Sequence, residues 1–511
     1  MLDNGDNNPH LKAGAPSRRD ILLAATTLAA ASAIASADAI GPAQAQQSTG
    51  GATEPLGGQP PRGATQSVEN IEEQVVYQRA FEVVVWSQPA VAIYGIRRGM
   101  FAVGIKDNKI AAMSRPLVPR HEFLTANNST PYISANADLR NGPVVLEVPP
   151  ATDKGVLYGQ VVDAWQETIA DVGPIGADKG RGGKYLFLPP GYAGSVPNEY
   201  LPAPSPNYRV AFAFRSIVLP GMTDADAHAY AQTLKMYPLS DAANPPPTRF
   251  ADPWPERIST LPFYDLRYFD DLHEIISVEP VRPRDKAMMQ MLATLGIEPG
   301  KPFHPPERYK AAMERGTIDA YFYMQDRFIR MREPTRYWSD RHWSSFFLPD
   351  SDDGFTWDLS NGLFYDNRSD MFHPGTYYPK KLVKEPSTDY MCALADSDGR
   401  PLEGGKNYKL RVPKDVPVKQ FWSLIVYDFA TWAFIYSPEE RPGLGSYDKP
   451  NMKLNADGSV DIYFGPKPPE GLESNWIPTQ GKRPMPVMRI YGGEDAYWNR
   501  SFKMPDIERV Q

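Results

Sequence analysis

Asp163, His342, Asp366 and His373 are the side chains of this chain whose types suit proton transfer. A carboxylate or imidazole placed on a substrate can act as general acid or base. Arg215, Arg341 and Arg489 offer planar forks for a carboxylate or sulfate. Trp165, Tyr427 and Trp476 offer flat apolar faces, each with one polar handle. The first group is expected to be catalytic and the other two substrate-binding, with a small organic or carbohydrate-like molecule as substrate. The alternative is a non-catalytic ligand-binding or assembly module, in which the same aromatics fill cores or the interface of a homo-oligomer.

Other chemistries find little footing. His121, His228, His273, His304, His342 and His373 include no pair at the i, i+4 spacing of a helical zinc motif. Asp366, Asp370 and His373 lie close in sequence, but they read equally as a turn-rich loop in which Asp370 pairs with Arg368. The cofactor is therefore unknown, and a divalent metal rests on that loop spacing alone. No Gly-x-Ser-x-Gly elbow or Ser-x-x-Lys constellation is present, and Gly194-Ser195-Val196 sits in a Pro-rich loop. Gly180-Arg181-Gly182-Gly183-Lys184 lacks Walker spacing and precedes a strand, so it reads as a hairpin loop. Cys392, the single cysteine, rules out an intrachain disulfide and lies in an apolar stretch. With 54 Lys and Arg against 61 Asp and Glu, the net charge of −7 argues against a nucleic-acid partner.

Residues 1–45 read as an address. Ser17-Arg18-Arg19-Asp20 precedes an Ala-rich apolar run, and Ala43-Gln44-Ala45 supplies small residues for cleavage. The adjacent arginines resemble a twin-arginine signal, which names the twin-arginine export machinery as a partner. Cleavage near Ala45 would leave a periplasmic or secreted protein with no membrane span. Residues 46–66, rich in Gly, Pro, Gln and Thr, read as a flexible tether.

The elements that must position the site follow. The 52 prolines among 511 residues penalise long helices and favour short strands and ordered loops. Val76, Ala80, Val83 and Val84 share one face of a helix expected over 68–87, which the Ser87-Gln88-Pro89 run should end. Short strands are expected at 144–148, 155–162, 185–188 and 208–219. Asp163 and Trp165 are expected on one strand face, with Val162 and Ala164 on the other. Thr223-Asp224-Ala225-Asp226 has the pattern of a helix start, the helix running to Tyr237-Pro238. Further helices are expected over 284–295, capped by Gly296, and over 306–332. The 421–427 run is apolar nearly throughout and reads as a strand covered on both faces. The fold expected is mainly β with helical insertions, an α+β chain. Two β-sandwich or jelly-roll-like domains, 67–240 and 386–511, are joined by a helical connector, 241–385, that ends in an aromatic-rich segment.

Two sets of motifs carry a resemblance. Asn127-Asn128-Ser129-Thr130-Pro131-Tyr132 and Asp138-Leu139-Arg140-Asn141-Gly142-Pro143 are similar to the core of the family called domain of unknown function 1254, with Ser129 where that family usually has an acid. Asp398-Gly399-Arg400-Pro401-Leu402-Glu403-Gly404, Phe421-Trp422-Ser423-Leu424, Asn455-Ala456-Asp457-Gly458 and Asn475-Trp476-Ile477-Pro478 resemble its partner, domain of unknown function 1214. The resemblance implies two β-sandwich-like domains, often exported, and no assigned reaction. The site is then expected in a cleft between the two.

Overall fold

The computed structural model describes residues 57–61, 63–219, 221–348, 355–380 and 388–510. The expected export signal and most of the tether lie outside them. The segment up to Ile71, in which the Gln66 amide bonds the carbonyls of Val68 and Glu69, is distinct from the compact unit that begins at Glu72.

In that unit, alternation along short strands builds two sandwiches. The first pairs a six-stranded sheet, in the order Phe250–Ala251, Ile110–Ala112, Tyr132–Asp138, Arg209–Ser216, Leu157–Asp163 and Thr168–Val172, with a four-stranded sheet of Lys235–Pro238, Val144–Val148, Gly183–Leu188 and Tyr200–Pro204. Ile133, Ala135, Val161, Val210, Phe212 and Phe214 from one sheet meet Val144, Leu146, Tyr185 and Phe187 from the other. The second sandwich pairs Trp343–Ser345, Thr388–Ala393, Pro484–Gly493, Val418–Asp428 and Gly443–Gly445 with Trp476–Pro478, Val460–Gly465, Asn407–Val412 and Glu508–Val510. Its core holds Met391, Trp422, Leu424, Met488 and Ile490 against Tyr408, Leu410, Ile462 and Phe464. Side chains two residues apart share a sheet face. The residues alternating with these core residues therefore point out of each sandwich, and there the larger sheets carry a second apolar cluster. It joins Ala111 and Met113 to Cys392, Ile425, Tyr427, Met485 and Val487. The α+β class expected from the sequence holds.

Helices form a third layer. The helices Ile71–Ala102, Arg267–Val278, Lys286–Thr294 and Glu307–Arg330 bury Val83, Trp86, Tyr268, Leu272, Leu292 and Met313 in one core. Gly316 allows two of them to touch, since a Cβ there would stand 2.6 Å from the Tyr77 carbonyl oxygen. Glu307–Arg330 starts after Pro306, and Gly296, with φ +82, follows the helix ending at Thr294, both as expected.

Three local expectations are corrected. The first helix does not stop at Pro89 but runs through it to Ala102. Proline removes one helical N–H, and side chains take up carbonyls around it. Ser87 Oγ donates to Val83 O (2.6 Å), Tyr268 to Val84 O (3.0 Å) and Gln166 to Pro89 O (2.7 Å). The helix opened by the Thr223–Asp226 capping box ends at Ala231, and Lys235–Pro238 is a strand paired with Val144–Val148. Finally, the strand holding Asp163 ends there. Asp163 Oδ1 accepts the backbone N–H groups of Trp165 (2.8 Å) and Glu167 (2.9 Å), which turns the chain and takes Trp165 off the strand.

Candidate functional site

The two larger sheets turn their outer faces toward each other, and the polar residues on those faces converge. On the first sandwich, Arg215 is the last outward residue of a strand whose inward residues are Val210, Phe212 and Phe214. Its cross-strand neighbours are Tyr132 on one side and Tyr158 on the other. On the second sandwich, Tyr390 stands opposite Arg489 in register. Arg215 bridges the sheets by donating to Tyr158 (3.3 Å), Tyr491 (3.4 Å) and Tyr390 (3.1 Å). Arg489, 1% exposed, donates to Tyr390 Oη (3.3 Å) and to the carbonyls of Thr125 (2.6 Å) and Ala126 (3.2 Å). It also donates to Tyr427 Oη, whose hydroxyl is bonded in turn to Ala126 O.

The loop carrying Thr125 and Ala126 is held by the Asn127–Tyr132 motif. Asn127 Nδ2 donates to Thr130 Oγ1 (2.7 Å), its Oδ1 accepts Ser129 N–H (3.0 Å), and Tyr132 Oη accepts Asn127 N–H (3.2 Å). Thr125 sits at φ +38, strained for a β-branched residue. Three contacts hold it there: its N–H to Trp432 O (2.7 Å), its Oγ1 to Pro374 O (2.9 Å), and Arg489 on its own carbonyl.

Between the sheets lies a cavity of about 180 Å³. Its lining combines the polar Arg215, Tyr132, Tyr158, Gln160 and Tyr390 with the apolar Ile96, Met100, Leu117, Phe123 and Phe346. An apolar cavity of roughly 150 Å³ accepts benzene, so the space suits a molecule of that size plus a small head group. Neither Arg215 nor Arg489 is within ion-pair distance of a carboxylate among the described residues. For Arg215, burial opposes the charge, but the phenols of Tyr390, Tyr132, Tyr158 and Tyr491 outweigh it and hold the guanidinium protonated. Burial likewise pushes the Tyr390 phenol up, yet Arg215 and Arg489 overcome it and bring its pKa down to about 8.

Residues 108–238 match the family described as Protein of unknown function (DUF1254), and residues 387–495 match Protein of unknown function (DUF1214). Both halves of the resemblance hold. The crystal structure of the VPA0106 protein from Vibrio parahaemolyticus is similar in fold, at 19% identity and TM-score 0.51, over 85% of this chain and 100% of that one. A putative uncharacterized protein from Burkholderia cenocepacia aligns at 12% identity and TM-score 0.38, over 86% and 96%. No curated protein matches the chain. The site straddles the two matched regions: DUF1254 supplies Tyr132, Tyr158 and Arg215, while DUF1214 supplies Tyr390, Tyr427, Arg489 and Tyr491.

Of the residues singled out by type, Arg215, Tyr427 and Arg489 come together here, and the rest are dispersed. Asp163 is fully buried in a second ionic cluster with Glu167, Arg282 and Arg284. Trp165 packs at a tilt against Trp86, with ring centroids 4.6 Å apart. His373, 1% exposed, bonds Tyr264 Oη (2.9 Å) inside a cage of Tyr264, Tyr321 and Trp432, where burial drives its pKa down to about 3. Asp366 lies near Arg327 (3.7 Å), and Asp370 pairs with Arg327 (2.6 Å), not with Arg368, which instead donates to Trp165 O (2.6 Å). His342 and Arg341 lie on the edge of the second sandwich, Arg341 beside Asp340 (3.2 Å). Trp476 is buried on an edge strand, its indole N–H on Gly465 O (3.1 Å). Among the described residues, no group of three or more His, Cys, Asp and Glu could hold a metal ion, and no helix is long and apolar enough to cross a membrane.

Tyr390, Tyr158 and Tyr132 escape a search by residue type because tyrosine is ordinary core material. Their signal is positional. Each sits two residues from another outward polar residue on a strand whose alternate residues are apolar, as Tyr390 does beside Thr388 and Tyr132 beside Ser134.

Proposed function

We propose that the chain acts on a small organic anion held in the cavity between its two sandwiches, by side-chain acid–base chemistry, after export directed by its first 45 residues. The observation that carries this reading is Arg215, a half-buried guanidinium lining the cavity, with phenols and no carboxylate among its described partners. Taking an unpaired cation out of water costs several kcal/mol, and an incoming carboxylate offsets that cost with charge-assisted hydrogen bonds. A sugar would need polar partners around its whole rim. Ile96, Met100, Leu117, Phe123 and Phe346 offer none, so an anion with an apolar body is favoured over a carbohydrate.

Isothermal titration with benzoate, benzamide and glucose tests the reading. Benzoate should bind while its neutral isostere and the sugar do not, and Arg215→Met should remove the binding. Equal affinity for benzoate and benzamide, or binding unchanged in R215M, would refute it. Consumption of one component from a mixture of small apolar carboxylic acids separates an enzyme from a binding module.

A further inference from the structure

We infer that Tyr390 is the proton acceptor of this cavity, its phenolate stabilised between Arg215 and Arg489 with its oxygen open to the bound molecule. The inference rests on the anion-binding reading above and adds the group that does the chemistry.

The geometry is that of an acceptor. Tyr390 Oη receives an N–H from Arg215 Nη2 (3.1 Å) and another from Arg489 Nη1 (3.3 Å). Two accepted bonds occupy both lone pairs of a neutral phenol, so its own proton would need an acceptor nearby. The carbonyls within reach of Arg489, those of Thr125 and Ala126, are already taken by Arg489 and Tyr427. The adjacent carboxylate, Asp389, is on the opposite strand face, bonded to Tyr497 (2.6 Å). The surroundings of Tyr390 are otherwise cationic or phenolic. From the facing sheet come Arg215, Tyr158 and Tyr132; from its own sheet come Arg489, Tyr491 and Tyr427; and Tyr378 closes the side. The Arg489 guanidinium carbon also lies 4.4 Å from the Tyr390 ring centroid, and Phe347 stacks on the ring at 5.2 Å, which fixes its plane. The two guanidinium bonds that orient the oxygen favour its anionic form.

The chemistry this permits is abstraction of an acidic proton, from a hydroxyl or from a carbon next to a carbonyl. The substrate H–O or H–C bond breaks, its electron pair stays on the substrate as an oxyanion or enolate, and the proton forms the O–H bond of Tyr390. Arg215 then faces the new negative charge, and return of the proton completes an exchange or isomerisation without any further reactant. Binding of an anion near the phenolate also strengthens it as a base, since like charges in one site raise the proton affinity of each.

The experiment is a near-ultraviolet tyrosinate titration of the wild-type protein and of Tyr390→Phe, with and without benzoate. In wild type, one tyrosine should ionise near pH 8, about two pH units below the ordinary value. That signal should be missing in Y390F. Saturating benzoate should move the wild-type transition upward and be accompanied by proton uptake, read by calorimetry in two buffers of different ionisation enthalpy. A wild-type titration indistinguishable from that of Y390F overturns the inference, and benzoate binding that survives this result leaves the anion site standing. A tyrosinate signal without benzoate binding overturns the anion site and, with it, the catalytic role of Tyr390. The wild-type arm is decisive even where Y390F folds poorly.

Discussion

This molecule buries two groups of arginines and treats them oppositely. Arg282, Arg284 and Arg368 lie where the helical layer meets the first sandwich, together with Asp163, Glu167 and Asp285. Three cations face Asp163, Glu167 and Asp285 there, the exposed Asp358 also pairs with Arg284 (3.3 Å), and the space beside Asp163 is only about 30 Å³, enough for a water or two. Arg215 and Arg489, between the sandwiches, face no described carboxylate, and Arg215 borders a cavity of about 180 Å³. Burial of charge alone does not mark a site. Matched charge in solid packing is a lock between layers. Unmatched charge of one sign beside an empty space is a place for something of the opposite sign.

The sharpest way to break the contrast is to unbalance the lock. Glu167 accepts from Arg282 (2.9 Å) and from Arg284, both of them largely buried. Glu167→Gln leaves two guanidiniums short of one counter-charge, and removing one partner of a buried pair costs about 3–5 kcal/mol. Denaturant unfolding should show that loss with benzoate affinity unchanged in the folded fraction. A loss below about 1 kcal/mol would mean that the cluster is already solvated and the contrast is false.

At the open cluster the same operation should act in reverse. Arg215→Met removes an uncompensated cation, so stability should change by less than about 1 kcal/mol or rise. Benzoate affinity should fall about a hundredfold, or roughly 2.7 kcal/mol. Should R215M unfold as readily as E167Q, Arg215 would be a structural clamp between the sheets, not a binding group.

How far the sequence carried this picture depends on the kind of pattern. Sheets that alternate and helices punctuated by Pro306 and Gly296 were legible because local spacing decides them. Pro89 misled because the hydrogen bonds that rescue its helix come from Ser87, Tyr268 and Gln166, two of them distant in sequence. Within the site, Arg215 and Arg489 were legible by type alone, as planar forks that suit an anion. Tyr390 was not: its ordinary strand neighbours hide it, and its character comes from two guanidiniums 175 and 99 positions away. His373 and Asp163 fit the chemistry by type alone, but their surroundings assign them to a cage and a lock. The C-terminal motifs are likewise architectural. Asp396 Oδ1 accepts Asp398 and Arg400 N–H (both 3.0 Å) to form one turn, and Asn475 Nδ2 ties Lys453 O (2.8 Å) to Asp461 O (3.0 Å).

Asp163 sharpens the contrast through pH. Burial and the neighbouring Glu167 raise its carboxyl to about 7, although Arg282 and two backbone N–H groups pull the other way. Its unfolded value is the ordinary 3.8. The folded chain therefore holds a proton that the unfolded chain has already released, and folding is favoured by this group at low pH. The contribution is complete below about 3.8 and is lost as pH rises through about 7, with a slope up to roughly 1.4 kcal/mol per pH unit in between. Glu167 opposes it. Burial raises its carboxyl, but Arg284, Arg368 and Arg282 win and hold it below 4.5, so its contribution is present above that value and fails in acid. The difference between wild type and Asp163→Asn isolates the first effect. Unfolding free energies measured from pH 4 to pH 7 should fall more steeply in wild type than in D163N, and the two slopes should agree above about pH 8. Parallel slopes throughout would mean that Asp163 is ionised at all these pH values. It would then be a full partner of Arg282, and the lock would carry its charges as completely as its geometry implies.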